Sequence, residues 1–66
     1  MTVSVNGAER ECAEGATFGE LLAELGIDAR AVAVARNDEV VRRAELWRER
    51  ICPGDRIEII KAVAGG

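Results

Sequence analysis

The C-terminal end of the chain carries the most distinctive chemical group in the sequence. The last eight residues read "IIKAVAGG", so two glycines directly follow an apolar segment. The α-carboxylate of Gly66 has a reference pKa of about 3.3–3.7 and is ionised at neutral pH. An ionised carboxylate can attack the α-phosphate of ATP and become an acyl-adenylate. Gly66 is therefore the leading candidate for a reactive group.

The residues before Gly66 suit passage into the nucleotide site of another protein. Gly65 has no Cβ, and Ala64 has the smallest side chain that carries one. An extended residue spans at most about 3.3–3.6 Å, so four residues reach roughly 13–14 Å. Chain ends fray, and glycine loses the most freedom on ordering. We therefore expect residues 1–66 to form one domain with a flexible tail at 63–66, although an ordinary frayed end or an engineered extension would read similarly.

Composition argues against an enzyme. The 66 residues include no His, which is the commonest general base and metal ligand. A chain of this length also has little room for a walled pocket. We therefore assign no catalytic residue and no metal site.

Charge argues against nucleic-acid binding. The formal net charge is −3, whereas non-specific binding to nucleic acid needs a basic surface. Arginines cluster in the second half, but acidic residues are interleaved with them. A mixed, solvated surface is the expectation, and a basic patch around Arg42 and Arg43 that steers an acidic partner is the alternative.

The cysteines and the hydropathy pattern indicate a cytoplasmic protein. Cys12 and Cys52 form no C-x-x-C motif, and Cys12 is expected to be a buried free thiol rather than half of a disulfide. No signal peptide opens the chain, and no apolar run approaches the roughly 20 residues of a membrane helix. No membrane contact is expected.

The first third of the chain predicts a β-hairpin. "MTVSV" alternates apolar and polar residues, as in a half-buried strand. Asn6-Gly7 follows, and this pair favours a type I′ turn. Residues 8–12 return as a more polar strand, which suits the edge of a sheet.

A helix follows the hairpin. Thr17 and Glu20 have the spacing of a capping box. Apolar residues then recur at helical spacing, and Gly26-Ile27 predicts a Schellman ending. Gly19 is unfavourable in a first turn, and a close approach to a neighbouring strand would explain it.

The second half predicts three further strands. Residues 32–36 and 40–41 flank a turn at Asn37-Asp38, and a brief helical turn then places Leu46 and Trp47 on the core. A Pro-Gly turn leads into the last strand, "RIEIIKAV". Its alternation places Glu58, Ile60 and Ala62 on the face opposite Ile57. These elements predict an α+β roll, with a mixed sheet of about five strands and one helix packed across it.

The whole chain resembles the ubiquitin-like (β-grasp) sulfur carriers, and it is most similar to the ThiS-type carriers of thiamine-thiazole biosynthesis. The resemblance is carried by "VSVNG", "GATFGELLAELG", "VAVARNDEVVRRAELW" and "PGDRIEIIKAVAGG". The middle stretch favours the thiazole branch over the small subunit of molybdopterin synthase.

This resemblance implies a carrier that serves as a protein co-substrate. An E1-like, ThiF-type enzyme would use ATP to adenylate Gly66, and the carrier itself would bind no cofactor. Sulfur that a desulfurase draws from cysteine would then convert the adenylate to a thiocarboxylate, for use by a ThiG-type thiazole synthase. Val63, Ala64 and Gly65 would form the threaded tail, while Glu58, Ile60 and Ala62 would dock the partner.

Two alternatives stay open at this point. The sulfur acceptor could be molybdopterin or another thiolated product. The chain could also be a ubiquitin-like binding module that is never activated.

Overall fold

The computed structural model describes residues 1–61 of the chain, and these form a mixed five-stranded sheet with one α-helix. The elements are β1 Thr2–Val5, β2 Ala8–Glu11, α1 Phe18–Glu24, β3 Val32–Arg36, β4 Glu39–Val41 and β5 Arg56–Lys61, with 3₁₀ turns at Ala29–Ala31 and Arg43–Glu45. The strand order is β2-β1-β5-β3-β4. β1 and β5 are parallel, and the other neighbours are antiparallel. The predicted α+β roll is confirmed.

Both predicted hairpin turns are present. Asn6 and Gly7 have φ angles of 50° and 85°, and Asn37 and Asp38 have φ angles of 49° and 73°. Positive φ at both central residues is the requirement of a type I′ turn, whose twist matches that of the strands it joins. The two turns thereby connect β1 to β2 and β3 to β4.

The helix begins and ends where the sequence predicts. The Glu20 amide donates to Thr17 Oγ1 at 3.2 Å, and the Thr17 amide donates to Glu20 Oε1 at 2.8 Å. At the other end Gly26 has a φ of 72°, and the Ile27 amide donates to the Leu22 carbonyl at 2.9 Å. These bonds satisfy backbone groups that would otherwise lack partners at the helix ends.

The core lies between α1 and one face of the sheet. Its buried side chains are Val3, Cys12, Phe18, Leu21, Leu22, Val32, Val34, Leu46, Ile51 and Ile57. Cys12 is free, as predicted. Full burial of such a side chain stabilises the fold by about 1.5–3 kcal/mol, so this cluster provides the main stabilising contribution.

Two predictions, the burial of Trp47 in the core and the contact of Gly19 with a strand, are wrong. Leu46 is buried, but Trp47 is 58% exposed rather than packed in the core. The Trp47 ring lies against the Cα of Gly19, so the close neighbour of this glycine is an aromatic side chain and not a strand. The Gly19 amide also donates to the Leu46 carbonyl at 2.6 Å. The missing Cβ lets the loop that contains Trp47 approach the start of the helix.

Between Met1 and Lys61, no helix is both long and apolar enough to cross a membrane.

Candidate functional site

The predicted reactive end of the chain lies beyond the described residues. Gly66, the tail residues Val63, Ala64 and Gly65, and the predicted docking residue Ala62 are all outside residues 1–61. The other two docking residues, Glu58 and Ile60, lie on β5. β5 is therefore the part of the candidate site that the structure describes.

β5 is a central strand with neighbours on both sides. Val5 and Ile57 pair in the parallel ladder with β1. The antiparallel ladder with β3 runs from the pair of Arg36 and Ile57 to the pair of Val32 and Lys61. Ile57 is fully buried. β5 is therefore held by β1 at its start, by β3 along its length as far as Lys61, and by the core.

The side chains of β5 alternate between the core and the outer face of the sheet. Ile57 is buried and Ile59 packs against the core, whereas Ile60 is 58% exposed. The prediction that Ile60 points away from the core is confirmed. Glu58 is likewise exposed.

Ile60 belongs to a group of apolar residues on the outer face that spans two neighbouring cross-strand rows. It is paired with Ala33 on β3, while Ala35 is paired with Val40 on β4. Val40 is 75% exposed. We call Ala33, Ala35, Val40 and Ile60 the outer apolar strip. Glu58 of β5 is paired with Ala35, so a carboxylate lies directly beside the strip.

Ion pairs surround the start of β5 and confirm part of the predicted mixed-charge surface. Arg56 pairs with Asp38 of the β3–β4 turn, and this carboxylate raises the pKa of the Arg56 guanidinium. Arg36 pairs with Glu49 at 3.1 Å. Both pairs are solvent-accessible, so their contribution to stability is small.

A buried carboxylate anchors the start of β5. Asp55 is only 5% exposed, and its Oδ2 accepts from Arg36 Nε at 3.0 Å and from the Cys52 amide at 2.8 Å. Asn37 Nδ2 donates to its Oδ1 at 3.2 Å. These bonds join the strand to the loop before it and to the β3–β4 turn. No sequence pattern predicts this role, because the bonded partners include Arg36 and Asn37, which are distant from Asp55 in the sequence.

Asn6 anchors the other end of β5. Its Nδ2 donates to the Ile59 carbonyl at 3.2 Å, and its Oδ1 accepts from the Ile59 amide at 2.8 Å. Sequence reasoning identified Asn6 only as a turn residue. The Asn-Gly motif gave no signal for a contact with a strand 53 positions later.

The two thiols differ in environment. Burial raises the pKa of the Cys12 thiol, and the nearby Glu24 carboxylate adds to this effect, so Cys12 is protonated at neutral pH. Cys52 is exposed and its Sγ accepts from Arg36 Nη2 at 3.0 Å. Over the described range, no group of His, Cys, Asp and Glu side chains has the arrangement of a metal site.

Comparisons with known sequences agree on one family. A family model described as the ThiS family matches residues 3–66. The chain is 36% identical to the sulfur carrier protein ThiS of Escherichia coli, and the match covers both chains completely. It is also 39% identical to a thiazole synthase of Paramagnetospirillum magneticum, in a match that covers all of this chain but 20% of that protein.

Solved structures give the same result for the fold. A crystal structure of the thiamine biosynthesis protein ThiS from Geobacter metallireducens matches with a TM-score of 0.87 and 32% identity, over the whole of both chains. A solution structure of a thiamine biosynthesis protein from the same organism matches with a TM-score of 0.75 and 33% identity, over all of this chain and 88% of that one. The fold is the predicted β-grasp. With these matches over nearly its whole length, the chain belongs to the ThiS family.

Proposed function

We propose that this chain carries sulfur for thiazole formation in thiamine biosynthesis, as a thiocarboxylate on Gly66. The observation that carries the proposal is the match to the ThiS family, which extends from residue 3 through the final glycine. Two relatives, which match over 100% and 97% of this chain and over nearly all of their own length, are named sulfur carrier proteins. The acid at the tip is the group that can be activated, and Val63, Ala64 and Gly65 are the residues proposed to thread into the activating enzyme ahead of it.

The proposed chemistry has two displacement steps. In the site of an E1-like, ThiF-type enzyme, a carboxylate oxygen of Gly66 attacks the α-phosphate of ATP and pyrophosphate leaves. A sulfide equivalent, derived from cysteine through a desulfurase, then attacks the activated carbonyl and AMP leaves. The resulting thiocarboxylate is a strong nucleophile at neutral pH, and a ThiG-type thiazole synthase takes up its sulfur.

The chain acts in these steps as a protein co-substrate rather than as an enzyme. Its partners supply the catalytic groups and consume ATP, while the carrier binds no cofactor. Because the activation depends on ATP, we propose that the carrier works in the cytoplasm.

Docking is proposed on the outer face of β5. Glu58 and Ile60 lie there, and Ala62, which follows Lys61 in the sequence, is proposed to join them. Glu58 and Ile60 are exposed and lie within three residues of Lys61, the last described residue, so an enzyme that receives the tail is proposed to contact them. The outer apolar strip offers it surface to bury, and Glu58 offers a charge that restricts the orientation.

The match to a thiazole synthase favours the thiazole branch over molybdopterin. In that protein, a region similar to this entire chain accounts for 20% of the length. A carrier-like region within a polypeptide of that name supports a ThiG-type enzyme as the partner.

Reconstitution tests the proposal. The purified chain is incubated with the ThiF-type enzyme, ATP and a sulfur source, and its intact mass is measured. We expect one sulfur to replace one oxygen, and fragmentation to confine the change to Gly66.

A variant with one alanine appended after Gly66 is the matched control, because it keeps the body and moves the carboxylate. It should keep the unmodified mass. Unmodified wild-type protein under the same conditions would instead support a binding module that is never activated.

A further inference from the structure

The side chain of Asn6 behaves as a short piece of β-strand. Its carboxamide forms two hydrogen bonds with the backbone of a single residue, Ile59. One bond is accepted from the Ile59 amide and the other is donated to the Ile59 carbonyl. A carboxamide has the same donor and acceptor groups as a peptide unit, so this pairing imitates one step of a ladder.

The pairing lies where the backbone ladder stops. β1 pairs with β5 at Ser4 and Val5, and the Asn6 amide then donates to the Ile57 carbonyl at 2.9 Å. The chain turns away from β5 at Gly7. The Asn6 side chain therefore extends the contact between the hairpin and β5 by one further step, to Ile59.

This extra step is close to the predicted tail. Ile59 is two residues before the last described residue and directly precedes Ile60 of the outer apolar strip. The other backbone edge of β5 remains paired with β3 as far as Lys61. The clamp formed by Asn6 and Ile59 therefore secures β5 on its β1 side where the strand leads into the tail.

We infer that Asn6 is a positioning residue for the activation of Gly66, an inference that rests on the proposed function. The clamp keeps the end of β5 in the sheet, so that Ile60 and the origin of the tail are presented to the activating enzyme together. Without it, Ile59 loses its hydrogen bonds on the β1 side, and in part of the population the end of β5 is out of position because β3 alone holds it. The apparent affinity for a partner falls in proportion to the fraction of carrier that is competent to bind.

The chain contains a matched control at Asn37. Asn37 has a φ of 49°, compared with 50° for Asn6, and both begin two-residue turns. Its Oδ1 accepts from the Arg56 amide at 2.8 Å, so it clamps the start of β5 instead of the end. Glycine tolerates these φ angles, and substitution by glycine therefore removes each clamp without straining its turn.

The test compares Asn6→Gly with Asn37→Gly in ATP–pyrophosphate exchange, with the ThiF-type enzyme fixed and the carrier concentration varied. For Asn6→Gly we expect KM for the carrier to rise about three- to tenfold with kcat nearly unchanged, because the competent fraction falls. For Asn37→Gly we expect KM to stay within about twofold of the wild-type value, because the clamp it removes is remote from the tail.

Hydrogen exchange provides the second readout. The Ile59 amide should exchange about tenfold faster or more in Asn6→Gly than in Asn37→Gly, as expected for local opening. Equal KM values for the two variants, or an unchanged Ile59 exchange rate, would overturn the inference while leaving the proposed function intact. Absence of exchange activity with the wild-type carrier would overturn both.

Discussion

Gly19 shows how a single residue can be explained by one long-range neighbour. Glycine at this position is unfavourable for helix formation by up to about 1 kcal/mol relative to alanine. A Cβ added here would overlap the Cδ2, Cε2 and Cε3 atoms of the Trp47 ring. The packing of the ring, together with the bond from the Gly19 amide to the Leu46 carbonyl, outweighs the helix propensity.

We therefore predict that Gly19→Ala destabilises the protein. Overpacking usually costs about 1–3 kcal/mol, and the gain in propensity offsets part of it. The expected net loss is about 1–2 kcal/mol in the free energy of unfolding, measured in urea. Because Trp47 must swing away from the helix, its fluorescence should also change.

The control for this prediction is the same substitution in a Trp47→Ala background. Without the ring, Gly19→Ala should be neutral or stabilising by up to about 1 kcal/mol, since only helix propensity remains. Equal destabilisation in both backgrounds would show that the ring is not the cause.

At the scale of elements, local signals predicted most of the architecture. The two Asn-initiated turns and the Thr17–Glu20 capping box depend on residues that are neighbours in the sequence, so their patterns were sufficient. The exposure of Trp47 and the bonds from Asn6 to Ile59 depend on contacts across the fold. No periodicity or turn motif encodes such contacts, and sequence reasoning missed them.

The candidate site divides in the same way. Strand alternation correctly placed Ile60 on the outer face. Alternation does not reveal which residues pair across strands. The register was needed to show that Ile60 lies beside Ala33 and that Val40 lies beside Ala35. The predicted roles of residues 62–66 lie outside the described part of the chain and stay predictions.

The anchor at the start of β5 makes a prediction about stability. Asp55→Asn replaces an acceptor oxygen with a donor group that faces other donors, Arg36 Nε and the Cys52 amide among them. Breaking a buried pair in this way costs about 3–5 kcal/mol, and the partial exposure of Arg36 reduces this to about 2–4 kcal/mol. In a domain of this size the melting temperature should fall by about 10 °C or more.

Asp38→Asn is the matched control for the anchor. Asp38 pairs with Arg56, but both side chains are more than half exposed. Asparagine also tolerates the positive φ of this turn position. The control should melt close to the wild-type temperature, and a comparable loss in the two variants would refute the assigned role of the buried carboxylate.

At the scale of the whole molecule, both hairpin turns contribute an asparagine whose side chain is hydrogen-bonded to the backbone of β5. Asn37 and Asp55 secure the start of β5, and Asn6 secures its end. The core fixes the inner side of the same strand through Ile57. These polar contacts all hold the strand that precedes residues 62–66, which suits the proposed role, in which other enzymes act on the carboxylate of Gly66.

The outer apolar strip gives the last prediction, which rests on the proposed function. Ile60→Glu puts a charge on the face that is proposed to bury against the activating enzyme. Since Ile60 is 58% exposed, the melting temperature should change little. KM for the carrier in ATP–pyrophosphate exchange should rise roughly tenfold, the scale of losing one well-buried interface contact.

Val40→Glu provides the comparison for Ile60→Glu. It introduces the same charge at a residue that is 75% exposed on the same face, but on β4, which is separated from β5 by β3. The increase in KM should be smaller for Val40→Glu, because an activating enzyme that binds the tail is expected to bury the end of β5 more fully than β4. An unchanged KM for Ile60→Glu would show that the activating enzyme does not dock on this face. A larger increase in KM for Val40→Glu than for Ile60→Glu would indicate that the contact is centred on β4. A large drop in the melting temperature of Ile60→Glu would indicate that Ile60 stabilises the fold.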